Sequence, residues 1–136
     1  ADVEWWQAER IARTEALWAA NATHADGMRE SARTLPDMMM RWTEYVDDAT
    51  YRPLDDRVDD DSIALHGQVA PVGGVFRFPL SMPTGAPIPR RLQRFIGKSW
   101  AHPPNRPNDR SSLSPVRPHW GVSGWQWVNG RRVAWP

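Results

Sequence analysis

The nearest approach to reaction chemistry in this 136-residue sequence is a crowd of carboxylates: Asp55, Asp56, Asp59, Asp60 and Asp61. Neighbouring carboxylates can divide the roles of acid and base when the fold pushes their pKa values apart. Here they sit in Leu54–Ser62, a polar run with little to desolvate any of them. The run also fails as a calcium loop, because Arg57 and Ile63 stand where oxygen ligands are required and the turn glycine is missing. His24, His66, His102 and His119 have no metal-ligand spacing, and the chain has no cysteine, so thiolate metal sites and thiol nucleophiles are excluded. Gly121-Val122-Ser123-Gly124-Trp125 has Trp125 where a hydrolase elbow needs its second glycine. Gly67, Gly73, Gly74 and Gly85 form neither a phosphate loop nor a dinucleotide fingerprint. The expectation is a chain that is not an enzyme, with no metal and no cofactor.

What remains is chemistry of contact. Residues 124–135 read GWQWVNGRRVAW. Asn129-Gly130 between alternating apolar runs predicts a two-residue hairpin, because both residues tolerate positive φ. That register sets Trp125 opposite Ala134 and Trp127 opposite Arg132, so Trp125, Trp127, Arg132 and Ala134 share a face. A cation–π pair of Arg132 on Trp127 follows. An isolated hairpin is marginal in water, so its indoles need a surface to lie on. Nine Trp in all, with sixteen Arg against the single Lys98, match the residue types enriched at interface hot spots. The partner-binding residues expected on this ground are Trp5, Trp6, Trp18, Arg90, Arg91, Arg94, Trp100, Trp120, Trp125, Trp127, Arg131, Arg132 and Trp135.

Composition supports that direction. Leu, Ile, Val and Phe together make 24 of 136 residues, a level that warns of a thin core for the length. Charge is segregated: residues 1–62 carry 15 acidic and 7 basic side chains, residues 63–136 carry 1 acidic and 10 basic. Arg-rich codon usage accounts for the choice of Arg over Lys, but not for the segregation. No apolar run reaches the length of a membrane span. The chain opens on Ala1, which fits removal of a presequence, simple Met removal or a start traced short of the first residue.

The elements that must position these residues are predicted as mostly α with irregular and extended segments. Residues 1–52 form an acidic helical segment, with helices over about 2–22 and 35–50. In the first helix Trp5, Ala8, Ile11, Ala12, Ala16, Trp18, Ala19 and Ala22 share one broad arc, with Val3, Trp6 and Leu17 opposite. That leaves two contact faces, one of them for another chain. Residues 23–33 continue the helix more weakly past Gly27. In the second helix Met38, Met39, Trp42, Tyr45, Val46 and Ala49 make the stripe, read as core. Residues 53–62 are an acidic linker. Residues 63–100 hold two short strands around Pro71–Gly74 and a basic helix from about 89 to 98. Residues 101–136 are a Pro-rich extended arm, unable to hold a core, that ends in the hairpin.

The expected function is therefore that of a non-catalytic accessory subunit of a large multiprotein assembly, stabilising its neighbours through Trp, Arg and Pro contacts. No motif aligns with a family. In overall style, with Arg for Lys and with Trp and Pro in long loops, the chain resembles the supernumerary subunits of mitochondrial respiratory or ATP-synthase complexes. That resemblance implies a mitochondrial location. It also implies other protein subunits as partners and contact with anionic lipid headgroups for the basic arm. The alternatives are a viral or phage structural protein in a virion, and a small ribonucleoprotein subunit in the cytoplasm, with nucleic acid as the lesser partner because the acidic half repels it.

Overall fold

A computed structural model describes residues 4–105 and 111–135. One long helix, α1 (Glu4–Ala32), is followed by β1 (Met39–Thr43), a short α2 (Asp60–Leu65), β2 (Val69–Pro71) and β3 (Phe76–Arg77). A 3-10 helix at Arg90–Phe95, β4 (Ser99–Trp100), β5 (Ser112–Val116), a 3-10 turn at Pro118–Trp120, β6 (Gly124–Val128) and β7 (Arg131–Trp135) complete it. The described strands form three small antiparallel sheets, ordered β2-β1-β5, β3-β4 and β6-β7. The fold is thus mixed α/β, which corrects the mostly α expectation.

The correction has three local causes. Residues 35–50 are not a helix: Met39–Thr43 is the central strand, flanked by β2 on one side and β5 on the other. Met, Arg and Trp suit a helix locally, but pairing on both edges and burial on both faces override propensity. The Pro-rich arm does hold core, since β5 buries Leu113 and Val116. Its Pro115 is tolerated because β5 is an edge strand, where a missing N–H costs no ladder bond. The acidic linker ends inside α2, with Asp59 at its N-cap position and Asp60 and Asp61 in the first turn, where carboxylates favour the helix dipole. Both strands around Pro71–Gly74 exist, but they pair with β1 and β4 and not with each other. The basic segment is 3-10 over Arg90–Phe95.

α1 runs to Ala32, so the weaker continuation expected over 23–33 is helix, straight through Gly27, which faces open space. Its docked stripe is Leu17, Asn21, Ala25 and Met28, at helical spacing, with Asn21, Ala25 and Met28 buried. These residues lie on the side of Leu17, not on the arc of Trp5, Ile11 and Trp18. Asn21 fixes the contact. Its Nδ2 donates to the Ser111 carbonyl at 3.2 Å and its Oδ1 accepts from the Leu113 N–H at 3.0 Å, so a side-chain amide closes the edge of β5.

Aromatic rings and Met make up for the few aliphatics. Trp42 is fully buried, edge-on to Phe76 (5.3 Å) and Trp100 (6.1 Å), and Phe95 bridges Phe78 and Trp100. One face of the β2-β1-β5 sheet buries Met40, Trp42, Ala70 and Leu113 with α1. On the other, Met39, Val69 and Val116 pack with Trp135 of the final hairpin. Gln68 repeats the device of Asn21: Nε2 donates to the Arg77 carbonyl and Oε1 accepts from the Arg77 N–H, both at 2.7 Å.

Candidate functional site

The final hairpin pairs as its turn residues dictate. Asn129 and Gly130 take φ of 50° and 78°, and Trp125 faces Ala134, Gln126 faces Val133, Trp127 faces Arg132 and Val128 faces Arg131. Its surface is this chain's own body. The Trp125 N–H donates to the Gly67 carbonyl (2.9 Å) and its indole Nε1 donates to the His66 carbonyl (2.9 Å). Trp125 and Trp135 are buried. Gly124 lies so close to the strand beneath that a Cβ there would meet the Val69 side chain at 2.7 Å and the Gly67 carbonyl at 2.9 Å. Arg132 stacks on Trp125, 3.9 Å from the ring centroid, instead of on Trp127. It donates to the carbonyls of Ala64 (2.9 Å) and Ser81 (3.3 Å), tying α2 and the loop after β3 to the hairpin. Burial pushes its pKa down to about 10, with Tyr51 acting in the opposite sense.

Beside the hairpin lies a polar centre that the sequence did not announce. Arg41, in the middle of an apolar strand, donates to the Ser123 carbonyl (2.9 Å), to Thr43 Oγ1 (3.0 Å) and to Asp48 Oδ1 (2.8 Å). His66 Nε2 is 2.7 Å from the same Asp48 oxygen, and His66 Nδ1 accepts the Glu44 N–H at 2.9 Å. That backbone bond fixes the tautomer, with the proton on Nε2 and donated to Asp48. Tyr51, held at φ 56° by the turn that Asp47 caps, places its ring edge-on to His66. A His–Asp pair invites a general-base reading, but a base needs a free lone pair, and both His66 nitrogens are engaged in the interior. Burial lowers the His66 pKa, more than Asp48 raises it. Burial pushes Asp48 up, but the bonds from His66 and Arg41 together hold it below the usual carboxylate range. The centre is a clamp joining β1, the 44–48 loop, α2 and the approach to β6. Its one sequence signal was the charge of Arg41 inside Met38–Trp42.

The remaining predicted contact residues disperse. Trp5, Trp6, Trp18 and Trp120 are exposed, at 68%, 39%, 55% and 48%. Trp6 carries Arg10 over its ring, and Trp18 meets His102 edge-on. Trp100 and Trp127 are half-buried, Trp100 against Trp42 and Phe95. Arg91 pairs with Asp60 at 2.7 Å, and Arg90, Arg94 and Arg131 are exposed, Arg94 lying over Phe95. Part of the charge segregation is settled inside the chain: besides Arg91–Asp60, Arg117 holds Asp37 through two bonds of 2.8 and 3.1 Å. Arg106 and Arg110 lie outside the described residues.

One region is left open. Every residue from Trp5 to Arg13 is exposed, and Trp5, Ile11 and Trp18 are among the most exposed large apolar side chains. Among the described residues no helix is long and apolar enough to cross a membrane. No group of three or more His, Cys, Asp or Glu among the described residues is arranged to hold a metal ion. Comparison with protein-family models, with curated proteins and with solved structures finds no match for this chain.

Proposed function

We propose that the chain is a non-catalytic accessory subunit of a larger protein assembly and that the first half of α1 is its docking arm. The observation that carries this is the bare stretch Trp5–Arg13 together with Trp18. A helical segment whose residues are all exposed, with two Trp and one Ile in water and with local contacts such as Arg13 to Glu9 and Arg10 on Trp6, lacks the tertiary packing that stabilises most protein helices. Exposed large apolar side chains gathered on one short segment are the kind of surface that interaction sites use. Trp is also the commonest interface anchor. The rest of the molecule supports the arm, since Asn21, Ala25 and Met28 root it in the core.

The class of assembly proposed is a mitochondrial respiratory or ATP-synthase complex, on the style of the sequence. The test is migration of the tagged chain on a native gel of detergent-solubilised mitochondrial membranes. The proposal expects it in a band of several hundred kilodaltons, and expects Ile11→Ser with Trp18→Ser to return it to the position of the free 15.6 kDa chain. Migration of the unaltered chain as a free monomer would overturn the accessory-subunit reading. A large band made of RNA and protein, lost on nuclease treatment, would move the chain to a ribonucleoprotein.

A further inference from the structure

Glu15 sits in the centre of the open face of α1. At 100° per residue, Ala8, Ile11, Ala12, Trp18 and Ala19 flank it within an arc of about 120°, on turns above and below. Ala8, Ile11, Ala12, Glu15, Trp18 and Ala19 are all exposed. Among the described residues Glu15 has no hydrogen-bond or ion-pair partner. The cations of the same stretch point elsewhere: Arg13 bonds Glu9, and Arg10 stacks on Trp6 at 5.2 Å. Neither falls within the arc.

We propose that this face takes an apolar, basic segment of another protein, an amphipathic helix that sets an Arg or Lys against Glu15. The inference rests on the docking-arm reading and adds the chemistry of the partner. Covering the apolar arc strips water from Glu15, and a desolvated carboxylate demands an opposite charge. A second copy paired through the same stretch of its α1 does not provide one. Between residues 5 and 22 the only basic side chains are Arg10 and Arg13, both outside the arc, so pairing this face with itself sets Glu15 near a second carboxylate. A basic helix supplies both the apolar contact and the missing cation, and a groove-and-helix contact of this kind is read at i, i+3, i+4 and i+7 spacing.

The experiment uses the full chain and two labelled helical peptides of about 18 residues with the same leucine face, one with lysine and one with glutamate on the flanks. Fluorescence anisotropy reads binding. The expected result is binding of the leucine/lysine peptide at least about tenfold tighter than of the leucine/glutamate peptide. Glu15→Lys should cancel or reverse that preference, and Ile11→Ser should weaken both, with unchanged circular dichroism in each variant. A lysine preference that survives Glu15→Lys overturns the proposal, because the attraction then lies with other acids. Absence of binding by either peptide overturns it too. So does a concentration-dependent dimer in sedimentation that Ile11→Ser abolishes, which would make a second copy the occupant. If Ile11→Ser releases the chain from its native band while the peptides show no charge preference, the docking arm stands and the basic partner falls. If the native band is unchanged, both fall.

Discussion

The two ends of the molecule carry the same residue type to opposite fates. The hairpin of β6 and β7 and the first half of α1 are both Trp-rich, and both read from sequence as contact elements. In the hairpin, Trp125 and Trp135 are buried in the chain's own body. In the helix, Trp5, Trp6 and Trp18 stay exposed, with only Arg10 over Trp6 and His102 against the edge of Trp18. The difference is backbone, not side chain. β6 offers N–H and carbonyl groups to the strand beneath, so Trp125 N bonds the Gly67 carbonyl and the ring follows. A helix has already satisfied its interior backbone, so its indoles can be held only by packing, and among the described residues no side chain from Trp5 to Arg13 is even partly buried. Indole content alone therefore does not say whether a ring is buried in the chain's own body; backbone valence decides that.

The largest test of this contrast is Trp125→Ala. Removing a buried indole with a satisfied N–H should cost about 3–5 kcal/mol, read as a shift in the denaturant midpoint. A value under about 1 kcal/mol would mean that the hairpin is only loosely laid on the body. Next is Gly124→Ala. The added Cβ meets a backbone carbonyl as well as the Val69 methyl, so the hairpin must lift, and a loss of about 1–3 kcal/mol is expected. Unchanged stability there would show that β6 does not approach Gly67 as closely as described.

How far the sequence led follows the same line. The hairpin register was legible because Asn129-Gly130 is a local signal whose geometry fixes the pairing of ten residues. α1 was legible in its existence but not in its docked side. Its large apolar residues pointed to the arc of Trp5, Ile11 and Trp18, whereas the buried stripe is anchored by Asn21, a polar residue whose value appears only when the edge of β5 arrives from 90 residues away. β1 was missed for a related reason. Met38–Ala49 fits a helix stripe as well as a strand, and what selects the strand is pairing to residues 69–71 and 112–116. The clamp of Arg41, Asp48 and His66 showed only as a charge inside an apolar run, because its members serve one another only after that strand forms.

The clamp gives the next effect in size, and its sign can be worked out. The His66 pKa is lowered from 6.5, so above that value both folded and unfolded chains hold a neutral ring and the clamp is at full strength. As pH falls below 6.5 the unfolded chain binds a proton that the folded chain resists, and stability drops until the lowered folded pKa is passed. Asp48, lowered from 3.8, adds a second loss below that value, together with Asp37 and Asp47: the unfolded chain binds protons that the folded carboxylates resist, and Asp48 releases Arg41 and His66 only once its lowered folded pKa is passed. Denaturant midpoints between pH 7.5 and 3 should show the first step and the onset of the second. His66→Gln should lower stability at pH 7.5, erase the first step and shrink the second, because the His66 bond is one of those that hold Asp48 down. A first step of unchanged size in His66→Gln would assign it to another group.

The smallest expected effect is at the exposed end, and it is the most discriminating. Trp5→Gln and Ile11→Gln remove no buried contact, so each should change stability by less than about 0.5 kcal/mol, against several for Trp125. Hydrogen exchange separates the two halves of the same helix. Amides of residues 8–13 open without disturbing the core and should exchange with little protection, whereas those around Asn21 to Met28 should approach the protection of global unfolding, because Asn21 is bonded to β5 and Met28 is in the core. The boundary should fall near Leu17, where the docked stripe begins. Uniform strong protection along the helix in the isolated chain would mean that the first half is already covered, and the arm would lose its reason to seek a partner. Protection that rises at residues 8–13 only when the leucine/lysine peptide is added, and at none of the hairpin amides, would place the new contact on the helix and leave the indoles of β6 and β7 to the chain's own core.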